Sequence, residues 1–288
     1  MIEALQVAID TADVGALSHL LTTDPALANR GDLPPLAQLS VRPPRTTPDV
    51  LTRMAELLLH AGADPNHHEA LYHACEHPHH AVLDAILASP RLEPPWLSFC
   101  LLRKLDYEDL DGVRKMLQRG ADPNLRNRHG DREMSLHHAI RRGRSPGMLH
   151  LLLQHGARLD IINIHNHTAR RQAVRFGRTD LGTDAPEATP LDRWLFSLWH
   201  EPPTAPAPAP LGKQDLRLLP EAAAMRRYDA VSHMLQAGFP VDSPTHDDLQ
   251  AIDFAAWHGD ETLAAILFAH GATRDQYDAA RAWLASSA

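Results

Sequence analysis

The chain has 288 residues and a formal net charge of −8, and 44% of its residues are hydrophobic although only 5% are aromatic. A core built mainly from leucine and alanine favours helices over strands, so the composition predicts an all-α fold. Two cysteines exclude a disulfide-stapled module, and no run of about 18 apolar residues is present to span a membrane. Glu3, Asp10 and Asp13 stand where an export signal would have a basic flank, so we expect a cytoplasmic protein.

Positive charge is concentrated in the middle of the chain. Residues 126–178 contain eleven arginines, no lysine and three acids, a net charge of +8 that leaves −16 for the remainder. Only three of the 28 basic residues are lysines, which together with abundant alanine and proline is typical of a bacterial protein from a GC-rich genome. Arginine favours bidentate recognition of carboxylates and phosphates.

Five segments repeat one pattern, an apolar helix that ends in a glycine. A glycine just beyond a helix can adopt the left-handed conformation that terminates it, and the Asp-Pro-Asn that follows two of the five is typical of a turn. The segments are MAELLLHAGADPN (54–66), VRKMLQRGADPN (113–124), MLHLLLQHGARLD (148–160), VSHMLQAGFPVD (231–242) and LAAILFAHGATRD (263–275).

A second, shorter helix is predicted upstream of several of these, as in ALYHACEHP (70–78), SLHHAIRRG (135–143) and AIDFAAWHG (251–259). With this helix the pattern resembles the ankyrin repeat, in which TPLHxAA, a glycine, a second helix and GADVN follow one another. MSLHHAI at residues 134–140 keeps the Leu, the His and the first Ala of that pattern. The spacing between successive helix-terminating glycines is 36 residues in one case and 33 in another, near the period of about 33 of ankyrin repeats.

The resemblance implies an ankyrin-like helical solenoid of about seven to eight degenerate repeats with a Pro-rich insertion. We expect N-terminal repeats over residues 1–182, an insertion over residues 183–212 and C-terminal repeats over residues 213–288, closed by a last helix at residues 276–286. The insertion contains TPLDRWLFSLWH, predicted to be one more helix, and PPTAPAPAP, whose five prolines favour an extended, exposed linker.

The sequence offers no metal or catalytic motif that meets the geometric requirements of its class. His68 and His73 flank a zincin-like string but are five residues apart, about 140° around a helix, whereas zincin ligands are four apart. The residues from Cys75 to His80 are rich in histidine but lie across a predicted loop without a partner cluster. No nucleophile, nucleotide or phosphate motif is present, so we expect no cofactor and no enzyme activity.

The resemblance also implies which residues face a partner. In ankyrin repeats the last two residues before the inter-helix glycine face the concave groove. This register, together with the Arg-rich segment, gives the candidate partner-binding residues Glu76, His77, Arg128, Arg132, Arg141, Arg142, Arg175, Phe176, Trp257 and His258. Read along the array, the groove changes from acidic through basic to aromatic. His137 occupies the histidine position of the repeat pattern, where we expect a structural role.

These observations favour a non-enzymatic, monomeric scaffold that binds another protein presenting an acidic patch. By resemblance to small bacterial ankyrin proteins, an immunity or adaptor protein that neutralises or chaperones a cognate toxin or effector is the leading hypothesis. Two alternatives remain open: an effector that docks on a host protein, and a nucleic-acid-binding module that uses the arginines. Against the second, only Phe176 is interleaved with the arginines and the rest of the chain is acidic.

Overall fold

The computed structural model describes residues 1–126, 133–182 and 184–287. For residue 287 it describes the backbone but not the side chain. In this part of the chain all regular structure is helical except for one isolated β-bridge between Ile162 and Thr168, which confirms the all-α prediction. The helices are α1 Ile2–Asp10, α2 Val14–Thr23, a 3-10 helix Pro25–Asn29, α3 Pro35–Val41, α4 Pro48–His60, α5 His68–Ala74, α6 Ala81–Ala88, α7 Pro94–Asp106, α8 Leu110–Gln118, α9 Ser135–Arg141, α10 Pro146–Gln154, α11 Ala169–Arg175, α12 Pro190–Leu198, α13 Lys213–Leu216, α14 Leu218–Ala224, α15 Tyr228–Gln236, α16 Ala251–His258, α17 Glu261–Phe268 and α18 Arg274–Ser287.

The five repeated helices end as the glycine pattern predicts. Gly62 and Gly120, for example, both have φ near 107°, a conformation that other residues rarely adopt. After each of the five glycines the next amide hydrogen-bonds to the carbonyl five residues earlier, which satisfies a carbonyl that the helix leaves open. These bonds are Ala63 to Leu58, Ala121 to Met116, Ala157 to Leu152, Phe239 to Met234 and Ala272 to Leu267, all between 2.9 and 3.1 Å.

The chain divides into two compact units. The first comprises Met1–Gly130 and Gly147–Ala157. In this unit α1 packs on α2, α3 on α4, α5 on α6 and α7 on α8. The first helix of each pair also contacts the first helix of the next pair, from α1 to α7, and the second helices contact one another in the same way, from α2 to α6. Consecutive helix pairs therefore stack in two rows, as in ankyrin-like repeats. The predicted resemblance to that fold is confirmed by this packing.

Neutral side-chain hydrogen bonds link successive repeats of the first unit. Three asparagines, each at the end of a repeat, donate from Nδ2 to a backbone carbonyl of a later repeat. The bonds are Asn29 to Gly62, Asn66 to Arg91 and Asn124 to Gly156, at 2.9, 2.9 and 2.8 Å. The amide oxygens of Asn29 and Asn66 also accept from the backbone of that repeat, so each asparagine satisfies two groups that a shift of register would leave unpaired.

The second unit comprises Asp131–Pro146 and Arg158–Ala288. Helix α14 packs on α15 and α16 on α17, α14 also contacts α16, and α15 contacts α17. Helix α12, predicted within the insertion, packs on α11 and α15, and its Leu195 and Leu198 are fully buried in the core. It therefore occupies the outer position of the α11 repeat. The expected boundaries at residues 182 and 213 both fall inside this unit.

The proline-rich segment after α12 is irregular and mostly exposed, as its composition predicts. Trp194 of α12 contacts it through a 3.0 Å hydrogen bond from Nε1 to the carbonyl of Ala205. Helix α18 lies where the sequence predicts a closing helix; it packs on α16, and its Tyr277 is completely buried. Within the described part of the chain, none of the helices combines the length and the apolar character needed to cross a membrane.

Candidate functional site

Arg175 lies in a buried network of ion pairs. Its guanidinium is 2.6 Å from a carboxylate oxygen of Asp192 and 2.5 Å from one of Asp215, and Arg171 also reaches Asp192, at 2.8 Å. The Arg175 side chain is only 5% exposed. Our expectation of an exposed groove arginine is therefore wrong for this residue, because acids from α12 and α13 cover and neutralise it.

Arg141 is enclosed in the same way. Its guanidinium is 2.8 Å from Glu133 and 3.1 Å from Glu221 of α14, and its side chain is 10% exposed. Register on the inner helix predicts the direction of this side chain but not its two acids, Glu133 just before α9 and Glu221 on α14. Like Arg175, Arg141 is thus a buried, paired residue rather than the exposed one expected from the sequence.

Local helix-start chemistry fixes the two acids that face Arg175. Asp192 is fully buried and, with Thr189, forms a capping box at the start of α12. Burial alone would raise the pKa of Asp192, but hydrogen bonds from Arg171, the Thr189 backbone and Arg175 lower it to about 2. Asp215 similarly accepts from the Gly212 amide, at 2.7 Å, at the start of α13. Each acid therefore caps the N-terminal end of a helix and also neutralises an arginine.

This network forms one wall of a concave space that we call the histidine recess. It is lined by Glu133, Arg141, Ile164, His165, His167, Gln172, Arg175, Phe176, Gln214, Arg217, Leu218, Glu221 and His246. Its volume is about 780 Å³, counting the part open to solvent. Three predicted residues, Arg141, Arg175 and Phe176, thus meet in one place, together with Arg217, which sequence analysis missed.

A braced turn places two histidines in this recess. The Asn163 side-chain oxygen accepts from the amides of His165 and His167, at 2.9 and 3.0 Å. Its amide nitrogen donates to Gln172 at 2.8 Å, and Gln172 donates to the carbonyl of His137, also at 2.8 Å. Burial, and then the positive charges of Arg175 and Arg171, lower the pKa of His167 to about 4, so its imidazole is neutral at pH 7.

His137 has the structural role expected of it. Its Nε2 lies 3.1 Å from the backbone carbonyl of His167, a contact between successive repeats.

A second concave space, which we call the tryptophan recess, brings together three other predicted residues, Arg142, Trp257 and His258. It is lined by Arg142, Arg144, Glu221, Ala224, Met225, Phe254, Trp257 and His258. The Phe254 and Trp257 rings pack edge to face with centroids 5.5 Å apart. Trp283 of α18 stacks on the outside of Trp257 at 6.1 Å and is 59% exposed.

Glu76 and His77 lie in the first unit, apart from both recesses. Glu76 is paired with Arg103 and lies 2.6 Å from His73, and His77 Nε2 lies 2.7 Å from the carbonyl of Ser40. Burial would raise the pKa of Glu76, but its bonds with His73 and Arg103 lower it. Both residues are half-buried and committed to internal contacts, while nearby Tyr107 is exposed.

The remaining candidates, Arg128 and Arg132, lie outside the described residues. Within those residues, no three His, Cys, Asp or Glu side chains are grouped so as to hold a metal ion. Cys75 and Cys100 are free thiols in the first unit, both buried, and burial raises the pKa of Cys75 to about 12. Neither thiol is ionised at neutral pH, which matches the packing role predicted for Cys75.

Sequence reasoning missed the acids that neutralise the arginines. The Thr-Pro-Leu-Asp string at residues 189–192 is a helix-start signature and could have placed Asp192 at the start of α12. Its pairing with Arg171 and Arg175 has no signal in one sequence, because these residues are about twenty positions apart and belong to different helices.

No protein-family model matches the chain, and no curated protein matches it. Among solved structures, the chain is similar to the ankyrin repeat domain of Bcl-3, described as a unique member of the IkappaB protein family. The alignment covers 92% of this chain and 97% of that domain, with 20% sequence identity and a TM-score of 0.48. At this level of similarity the likeness does not extend to function; the ankyrin-like repeat fold of this chain rests on its own helix packing.

Proposed function

We propose that this protein is a non-enzymatic scaffold that binds an acidic segment of another protein at the tryptophan recess. The observation on which the proposal rests is that two arginines, Arg142 and Arg144, line the same concave space as the half-buried ring of Trp257. Arginine and tryptophan are the side chains that most often supply the binding energy of protein interfaces.

The charges around this recess favour an acidic partner. Glu221 also lines it, and one of its carboxylate oxygens is 3.1 Å from Arg141, which Glu133 shares. Arg142 and Arg144 outnumber this one acid among the lining residues, while Met225, Phe254 and Trp257 supply the apolar surface. A segment with carboxylates on either side of one apolar or aromatic residue complements both features.

Peptide binding tests this proposal. A fluorescent peptide with glutamates flanking a central phenylalanine should bind, whereas one with lysines in place of the glutamates should not. Trp257→Ala should cost about 2 kcal/mol or more of affinity, as truncation of a buried interface anchor does. Arg142→Glu should weaken binding and reduce its dependence on salt. Arg281→Glu, an exposed residue of α18 outside the recess, is the matched control and should have little effect.

Equal binding of the acidic and basic peptides, or unchanged affinity in both recess variants with the helical circular dichroism intact, would refute this assignment. The arginine-rich centre carries less free charge than its sequence suggests, because Arg141, Arg171 and Arg175 are paired with acids. This argues against the nucleic-acid alternative, in which the same arginines would contact phosphates.

For the biological role we propose a bacterial immunity or adaptor protein that neutralises or chaperones a cognate toxin or effector in the cytoplasm. The arginine-for-lysine composition and the resemblance to small bacterial ankyrin proteins support it, and the two free, buried thiols suit a reducing compartment. Growth rescue tests it: co-expression with its partner should protect the cell from that partner's toxicity, and Trp257→Ala should abolish the protection.

A further inference from the structure

The side chains of Arg217 and His167, in the wall of the histidine recess, make no hydrogen bond with any described residue. No acidic side chain of the described residues lies within ion-pair distance of the Arg217 guanidinium, and none of its nitrogens is hydrogen-bonded within that part of the chain. The His167 imidazole likewise makes no hydrogen bond to any described residue. Both groups are half-buried and line the same concave space, so a ligand in that space has both available to it.

Their surroundings hold these groups ready for a ligand. The Asn163 hydrogen bonds described above fix the backbone amide of His167, and Nε2 of His137 lies 3.1 Å from its carbonyl. Arg217 lies where α13 runs directly into α14, so its backbone is held by hydrogen bonds on both sides. A binding site fixed before its ligand arrives loses little conformational entropy on binding.

The ion pairs of the recess leave Arg217 as the group to which an anion can bind directly. Glu133 and Glu221 line the recess and share Arg141, and Arg175 is bonded to two aspartates. Arg217 is thus the one arginine in the wall whose charge no described residue compensates. A guanidinium binds a carboxylate or a phosphate through two parallel hydrogen bonds. A phosphate would bring nearly two negative charges close to two glutamates, so a carboxylate fits better.

The rest of the wall indicates what the carboxylate is attached to. Ile164, Phe176 and Leu218 give the recess an apolar side, and Ile164 is 46% exposed. Apolar walls with a few fixed polar groups are typical of small-ligand sites.

We propose that the histidine recess binds a carboxylate that bears an apolar group, with Arg217 pairing with the carboxylate and His167 hydrogen-bonding to it. Either the C-terminal residue of a partner protein or a free small carboxylic acid supplies this chemistry. The proposed site shares Glu221 with the tryptophan recess, but Arg217 and His167 line the histidine recess alone, and the proposal does not depend on the function assigned to the tryptophan recess.

Three probes test the proposal by calorimetry and by NMR of the histidine side chains. N-acetyl-leucine carries the carboxylate and an apolar group, N-acetyl-leucinamide lacks only the charge, and acetyl-Ala-Ala-Ala-Leu carries the same carboxylate on a peptide. We expect N-acetyl-leucine to bind about tenfold or more tightly than its amide, because the amide has no carboxylate to pair with Arg217. Tighter binding of the peptide would identify the source as a partner's C-terminus, and equal or weaker binding a free acid.

Variants separate Arg217 from general charge effects. Arg217→Gln should bring the acid to the level of the amide without changing thermal stability, because the guanidinium makes no hydrogen bond with any described residue. Lys213→Gln removes an exposed positive charge from the same helical region, outside the recess, and should leave the preference intact. Trp257→Ala should leave it intact as well, so failure at one recess is distinguishable from failure at the other.

His167 gives an independent readout. The charged or titratable groups that act most strongly on it are Arg175, Arg171, Asp192 and His165, and the recess adds Glu133, Arg141, Arg217, Glu221 and His246. A bound carboxylate should raise the pKa of His167 from about 4, visible as an upward shift in the NMR titration of that residue. Equal binding of acid and amide, no binding of the acid at millimolar concentration, or an undiminished preference in Arg217→Gln would each overturn the proposal.

Discussion

Asp192→Asn is expected to destabilise the second unit strongly while keeping the shape of the side chain. One carboxylate oxygen accepts from the Thr189 amide at 2.7 Å, the Thr189 hydroxyl at 2.8 Å and Arg171 Nε at 2.8 Å, and the other accepts from Arg175 at 2.6 Å. An asparagine has one side-chain oxygen, so it can accept either from Thr189 and Arg171 or from Arg175, but not from both groups. If it retains the capping box, its NH₂ group faces the Arg175 guanidinium, and two donors meet.

The loss of stability in Asp192→Asn depends on the ion pair that Arg175 keeps with Asp215. Breaking a buried ion pair costs about 3–5 kcal/mol, and Arg175 retains Asp215, so we expect a loss near the lower limit, about 3 kcal/mol in the free energy of unfolding. For units of this size that corresponds to a decrease of roughly 6–12 °C in Tm. Urea unfolding followed by tryptophan fluorescence reports mainly on this unit, since Trp194, Trp199, Trp257 and Trp283 all lie in it.

The control is Asp160→Asn, which removes the acid of an exposed pair with Arg158 in the same unit and should not change the unfolding midpoint. In a double-mutant cycle, Arg175→Gln and Asp192→Asn together should cost less than the sum of the two single changes. If Asp192→Asn unfolds at the same urea concentration as Asp160→Asn, the buried network does not hold the unit together and our reasoning is refuted.

The same carboxylate sets an acid limit for the second unit. The pKa of Asp192 is lowered from 3.8 to about 2, so its stabilising contribution is complete above pH 3.8 and is lost as the pH falls through 2. The fluorescence midpoint of the wild-type protein should therefore fall between pH 4 and pH 2. That of Asp192→Asn should fall less over this range; parallel pH curves would show that Asp192 is not the group concerned.

Three further outcomes are expected. Gly177→Ala should lower the Tm far more than Gly238→Ala, because both glycines have positive φ but only at Gly177 would the added Cβ lie 2.3 Å from Cβ of Trp199; similar losses would show that the backbone yields there. Cys75 and Cys100 should react with thiol reagents only on unfolding, and labelling of the native protein would contradict their burial. A chelator should leave the Tm unchanged, whereas a large drop would reveal a structural metal.

The helix pairs of the fold could be predicted because their signals are local. A glycine such as Gly62 terminates a helix through its own backbone conformation, and the apolar period before it identifies the buried face. The packing of α12 into the outer row could not be predicted in this way, since the proline-rich segment after it has the composition of a linker. Only the tertiary structure shows that Leu195 and Leu198 fill the core.

For the candidate site too, features that depend on local sequence could be predicted and features that depend on tertiary packing could not. Repeat register assigns Arg142 and Trp257 to one groove from their positions along a helix, and both line the tryptophan recess. Register alone could not show that the neighbouring Arg141 is bonded to Glu221, which lies eighty residues away in the sequence. Long-range pairing of this kind depends on which helices stack, and a single sequence does not contain that information.

The two units differ in how readily a repeat could be added or removed. In the first, Asn29, Asn66 and Asn124 join neighbours through backbone groups that any repeat possesses, so duplication or deletion of a whole repeat preserves the joint. In the second, Arg175 depends on specific acids from two other helices, and loss of either segment would strand a buried charge. A repeat is therefore added or removed more easily at a joint of the asparagine type than at one that depends on a buried ion pair.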